Sequence, residues 1–239
     1  MEFLKPAHEV LGTIKSESQE KVSSSLSGPA EARAKFIELS RHLLSTSELD
    51  QVLQALSFAE TLPSRDPHHP SMQAYFAHPL RVATFVLRLC KEPSVQTTSM
   101  ALLHNIFEVS GLDESDLVAA GFADRIGSGI KLLTVDRNRQ YDPEYLEGFH
   151  DRIKEFGEDL ALIRCVDRMD NLLAFDLIER TPTISTYLEL SERFVVPLAY
   201  SLDQEFGDYL EKLTKHVRQS DCDPELKQQY EKFLKQNAH

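Results

Sequence analysis

The chain has 239 residues, 41% of them hydrophobic and 27% charged, with a formal net charge of −12. That is enough for one sizeable core or one domain with extensions. It is too acidic for general binding to long nucleic acid, though not for a small phosphate ligand in a locally basic pocket.

No apolar run approaches the ~20 residues that span a bilayer. Met1-Glu2-Phe3-Leu4-Lys5-Pro6 lacks the basic start and apolar stretch of a secretory signal. Cys90, Cys165 and Cys222 are odd in number and widely spaced, unlike a disulfide framework or zinc knuckle. The cytoplasm is therefore the expected compartment.

Residues 1–29 are crowded with serine and close on Gly28-Pro29, so they read as a flexible tail. From Ala30 the pattern is helical, and 30–217 reads as one domain. Phe36, Leu39, Leu43 and Leu44 form an apolar stripe; Thr46 or Ser47 can cap the next helix, whose stripe is Leu49, Val52, Leu53, Leu56 and Ala59. Pro63 to Pro70 is a proline-rich loop. Pro79 suits the first turn of a helix reaching about Cys90. Residues 97–109 are almost wholly apolar and predict one central buried helix, ended by Gly111. A short helix from Asp113 or Ser115 to near Gly121 follows, then one over about Arg125 to Thr134. Asp142-Pro143-Glu144 opens a helix to about Phe156, and a long one runs from Glu158 to about Glu179. Thr181-Pro182 breaks the chain. Ile184 to about Val217 holds one or two helices, and Asp223-Pro224 opens a C-terminal helix within 218–239, expected to pack on the domain. The predicted class is all-α. Oligomeric state is left open.

Two strings carry the chemistry: Leu-Leu-His104-Asn105-Ile-Phe-Glu108, and Cys-Val-Asp167-Arg168-Met-Asp170-Asn171. His78-Pro79 precedes both. Positions i and i+4 share a helix face, so His104 pairs with Glu108 and Asp167 with Asn171. Two imidazoles and a carboxylate meeting at one point make a divalent-metal site. The other histidines read as ordinary surface or packed residues, and His150 beside Asp151 reads as surface charge.

The flanks carry a resemblance. Tyr75-Phe-Ala-His78-Pro79-Leu-Arg-Val-Ala83 resembles the first signature of the HD superfamily, closest to the hydrolase domain of Rel/Spo-type enzymes that degrade the alarmone (p)ppGpp. Ala101 to Val109 is similar to that family's ALLHDVVED segment, and Ile163 to Leu172 to its IKLADRLHNL. Glu189 to Ala199 resembles the following helix with its PLA ending, and Leu132-Leu-Thr134 a VTK-like turn. The likeness spans about residues 55 to 205. It implies an HD-domain helical bundle and a divalent metal, Mn2+ in kind, held by His78, His104, Asn105 and Asp167. It also implies Glu108 as the group that handles the attacking water. Asn171 would lie near the nucleotide sugar and Arg65 near the guanine. Lys131, Arg137, Arg139 and Arg168 are the basic candidates for the phosphates.

Two departures stand out. Asn105 occupies a place where the family has Asp, so an amide dipole replaces an anion at the metal. Val109 replaces the second carboxylate of a Glu-Asp pair, leaving Glu108 as sole general base. Three readings follow: an active metal-dependent phosphohydrolase of a nucleotide or related phosphoester; a degenerate HD-type protein that senses nucleotide or phosphate; or an interaction domain with relic ligands.

Overall fold

The computed structural model describes residues 3–27, 29–62, 76–175, 182–220 and 228. Every regular element among them is helical, as expected, and strand-like pairing is confined to one antiparallel bridge, Leu4 with Cys90. The chain opens with α1 (Ala7–Val10), α2 (Ile14–Ser27), α3 (Pro29–Leu43) and α4 (Thr46–Glu60). Ser45, rather than the expected Thr46 or Ser47, caps α4 in a reciprocal box with Glu48. α5 (Ala77–Leu89) begins two residues before Pro79, so His78 sits inside its first turn.

The single helix expected over 97–109 is two. α6 (Val95–Leu103) ends at His104, and α7 (Ile106–Ser110) restarts from Asn105, whose backbone leaves the helical region at φ −108° and ψ 10°. Gly111 then closes α7 in the left-handed conformation that glycine adopts freely, at φ 75°. α8 (Glu114–Ala119), α9 (Asp124–Leu133), α10 (Pro143–Phe156) and α11 (Glu158–Leu172) follow. Asp142 caps α10, and Pro143 fits its first position because no amide is needed there. α11 stops at Leu172 rather than near Glu179.

Beyond it lie α12 (Pro182–Leu190), a π-helical turn Ser191–Val195, α13 (Val196–Leu202) and α14 (Gln204–Gln219). The π turn has a local cause. Pro197 lacks the amide that the Arg193 carbonyl needs, and the ladder widens so that the Val196 amide reaches Ser191 five residues back. The C-terminal helix expected within 218–239 lies outside the described residues, apart from the end of α14.

α11 is the central element and packs against α5, α6, α10, α13 and α14. Its apolar side chains, among them Leu160, Leu162, Ile163, Val166 and Met169, are fully buried. Arg164, Asp167, Arg168 and Asp170 are buried with them. Charged groups are rarely placed so deep unless paired, and their pairing builds the site described below. Cys90 and Cys165 are buried free thiols. Among the described residues no helix is long and apolar enough to cross a membrane.

The N-terminal segment corrects the expectation of a flexible tail. Leu4, Ala7, Leu11 and Val22 are buried, and Lys5 donates its amide to the Leu89 carbonyl at 2.8 Å. In α2 the buried face is polar: Glu17, Ser18, Lys21 and Ser24 recur at helical spacing and point inward. A stripe of charge and hydroxyl groups gives no hydrophobic period, so composition alone suggests an unfolded segment.

His150 is the second correction. It is buried rather than on the surface, stacked on Phe194 with ring centroids 5.4 Å apart. Its Nδ1–H donates to the Leu146 carbonyl at 2.7 Å, and Arg164 approaches Nε2 at 3.5 Å. Burial, reinforced by the neighbouring Arg164 charge, pushes its pKa down to about 3. The unfolded chain binds a proton on this ring near pH 6.5 and the native protein does not, so stability falls as pH drops through that value. The loss between roughly pH 6.5 and 4.5 should be about 2–3 kcal/mol, ahead of carboxylate titration. Denaturant titrations across that range should show the slope, and His150→Phe should flatten it.

Candidate metal centre

His78 comes from the first turn of α5, His104 from the end of α6 and Asp167 from the middle of α11. Among the described residues these three form a group whose ligand atoms lie within 4.8 Å of one another. The Nε2 atoms of His78 and His104 are 3.3 Å apart. Asp167 Oδ1 is 3.3 Å from the first and 3.7 Å from the second.

Both rings are fixed by their other nitrogen. His78 Nδ1–H donates to Asp170 Oδ2 at 2.8 Å, and His104 Nδ1–H donates to the Ala101 carbonyl at 2.8 Å. In neutral imidazoles that leaves both Nε2 lone pairs aimed at Asp167. Three electron-rich atoms then converge, an arrangement that calls for a cation or a proton between them. A point equidistant from all three lies about 2 Å from each, the length of a bond from such ligands to a small divalent cation. The residues present therefore fit a metal. Burial alone would lower the His78 pKa, but Asp167 and Asp170 outweigh it and hold the ring above its ordinary value.

Asp167 is held in turn. Arg164 Nη1 donates to Oδ2 and Asn171 Nδ2 to Oδ1, each at 2.9 Å. Burial would raise its pKa, yet the adjacent His104 and His78 rings and the Arg164 charge keep it well below the carboxylate range. The spacing of three and four residues along α11 puts Arg164, Asp167 and Asn171 on one face. Arg168 lies on another. Its guanidinium covers the Tyr187 ring at 3.7 Å and donates to Ser191 Oγ at 3.0 Å. Arg164, not Arg168, steadies Asp167, because a residue one position on points about 100° away.

Asp170 is a member that sequence reasoning passed over. Its carboxylate is fully buried and receives three donors: His78, Arg81 Nε at 2.8 Å, and Lys21 Nζ from α2. Burial opposes its charge, but Lys21 and Arg81 hold its pKa far below the usual range. Burial also pulls Lys21 down, and Asp170 offsets part of that. With the carboxyl held so low, the proton of the pair stays on Lys21. Such a partner on the distal nitrogen of a metal-binding histidine orients the ring and raises its basicity. The signal in the sequence was an acid three residues after Asp167, on a helix already marked for ligation.

The other predicted residues divide. Asn105 follows His104 at the kink, and its side chain does not cap α7. Glu108 is not in the His-His-Asp group. Its Oε1 accepts from the Val135 amide at 3.3 Å, and Oε2 pairs with Arg137. The continuous helix expected to carry His104 and Glu108 is broken at Asn105. Lys131 pairs with Glu114 on α8, and Arg139 with the α10 cap Asp142 at 2.8 Å. Arg65 lies outside the described residues.

Asp170→Ala strands two buried cations and frees the His78 ring. It should lower stability by about 3–5 kcal/mol in equilibrium denaturation, far beyond the effect of an exposed acid such as Glu147→Ala.

No protein-family model matches the chain, and no curated protein matches it. A solved structure does. It is described as a metazoan ortholog of SpoT that hydrolyzes ppGpp and plays a role in starvation responses. The identity is 17%, the TM-score 0.53, and the match covers 72% of this chain and 96% of that one. The two proteins share an all-α fold.

Proposed function

We propose that the protein is a metal-dependent phosphohydrolase acting on a nucleotide or related phosphoester, with guanosine polyphosphates such as (p)ppGpp the first substrates to try. The observation that carries this is the convergence of His78 Nε2, His104 Nε2 and Asp167 Oδ1 with both Nδ1 protons engaged elsewhere. The solved neighbour, itself a ppGpp hydrolase by description, supports the choice of substrate class.

In this reading His78, His104 and Asp167 hold the cation, Mn2+ in kind, and Asn105 supplies an amide oxygen as a further ligand. When bound, the cation supplies charge neutralisation at the phosphoryl group and acidifies water. The protein's own groups do the rest. Asp170 and the Ala101 carbonyl keep the two rings in the ligating tautomer. Arg164 and Asn171 stop Asp167 from rotating. Glu108 Oε2 is the atom that accepts a proton from the attacking water, once Arg137 moves off it. Arg137 is more than half exposed and free to swing toward a phosphate.

The pairing of both Glu108 oxygens, together with Asn105 and Val109 in place of acids, favours a second reading: a nucleotide- or phosphate-binding module with little turnover. The two are separated by loading the protein with Mn2+ and measuring release of pyrophosphate from ppGpp. The hydrolase reading expects catalytic turnover that a chelator stops. Bound nucleotide without turnover would select the binding module instead.

His78→Ala and Asp167→Ala should each abolish stoichiometric Mn2+ binding, and retention of metal in either would sink the site. Asn105→Asp replaces a dipole with an anion and should tighten Mn2+ roughly tenfold or more, read by calorimetry. Unchanged affinity would place residue 105 away from the ion.

A further inference from the structure

The charges buried around the centre do not balance. Among the described residues Lys21, Arg81, Arg164 and Arg168 are all at most 7% exposed, and the buried acids facing them are Asp167 and Asp170; the other buried acid of α2, Glu17, is paired with Arg88. Asp170 takes Lys21 and Arg81; Asp167 takes Arg164. Arg168 is bonded to neutral groups, the Ser191 hydroxyl and the Tyr187 carbonyl. Glu20 approaches Arg81 only at 4.0 Å, is itself 43% exposed and bonds Lys35, so it screens little. Glu108 and Arg137 cancel one another. Among the described residues, and with neutral imidazoles, these buried groups carry four positive charges against two negative.

A divalent cation entering there adds to an excess that is already positive, in a region where water screens weakly. Asn105 contributes no charge to offset it. An anion that binds with the metal would make good the deficit.

We infer that a divalent cation and a phosphate-type oxyanion enter this centre together, each raising the affinity of the other, and that Lys21 sets the strength of that coupling. The inference rests on the metal-site reading above. Lys21 acts at a distance, as a positioning and charge-setting residue. Its ammonium on Asp170 drains negative charge from the carboxylate that supports His78, making the ring a poorer ligand for a bare cation. The N-terminal helix α2 thereby tunes the centre from behind. A second anion on the cation relieves the same excess, so demand for the anion follows the charge that Lys21 brings.

The test is a Mn2+ titration of the full chain followed by electron paramagnetic resonance, which reads free ion, with and without inorganic phosphate. Binding of Mn2+ should tighten with saturating phosphate by a factor in the range typical of coupled sites, roughly 5- to 150-fold. Phosphate binding should tighten by the same factor with Mn2+, since linkage is reciprocal. Lys21→Met should bind Mn2+ alone several-fold more tightly than the wild type, with a smaller gain from phosphate. Lys21→Arg, which keeps the charge, should restore wild-type coupling. A purely structural lysine would move the other way, because its loss would loosen the centre and weaken the metal.

Mn2+ affinity that is indifferent to phosphate, or weakened in Lys21→Met, overturns the inference while leaving the metal site standing. Failure of the wild type to bind Mn2+ in either condition overturns the site itself and the coupling with it. If Lys21→Met does not fold, the reciprocal titration of the wild type decides alone.

Discussion

One buried carboxylate joins the parts of this molecule that matter most. Asp170 lies on α11 with no exposed surface and receives His78, Arg81 and Lys21. A charge in such a place is tolerated only when its partners are fixed. Satisfying it docks α2 against α5 and α11, and in the same act fixes the ring plane of His78. The docking of the N-terminal segment and the geometry of the candidate metal centre are thus one constraint. This explains why a serine-rich stretch with little apolar periodicity is ordered: its energetic partner is a buried acid 149 residues away.

Roles along α11 are sorted by rotation about the helix axis. Arg164, Asp167 and Asn171 share a face and form the ligand side, with the arginine and the amide clamping the carboxylate. Arg168 turns toward the π-helical turn and covers Tyr187. Asp170 points toward α5 and α2. Adjacent letters of one motif therefore do unrelated work, since each residue steps about 100° round the helix. The π turn is itself a consequence of Pro197 and carries Ser191 to its contact with Arg168.

The substrate side is built from looser material. Glu108 and Arg137 hold one another across the end of α7 and the turn after α9, and the Val135 amide takes the remaining oxygen. Lys131 and Arg139, named with Arg137 for their charge, are already paired with Glu114 and Asp142. Basic residues in a sequence advertise charge but not availability. Whether a guanidinium faces a ligand or caps a helix depends on which acid the fold brings beside it.

Much of the architecture was legible in the linear chain. Apolar stripes, caps at Asp113 and Asp142, and prolines at 79, 143 and 182 mark the helices, because local backbone preference and amphipathic period need only near neighbours. His78, His104 and Asp167 were legible too, through the resemblance of their flanks to a known pattern. The kink at His104 and Asn105, the inward polar face of α2, the burial of His150 and the role of Asp170 were not. Each depends on a contact with a residue distant in the chain, and the worth of a buried charge is set by the partner it meets. Residue types and short-range periods belong to the sequence; which charges lie together out of water was decided by tertiary packing alone, because only packing removes the solvent and brings the counter-charge within reach.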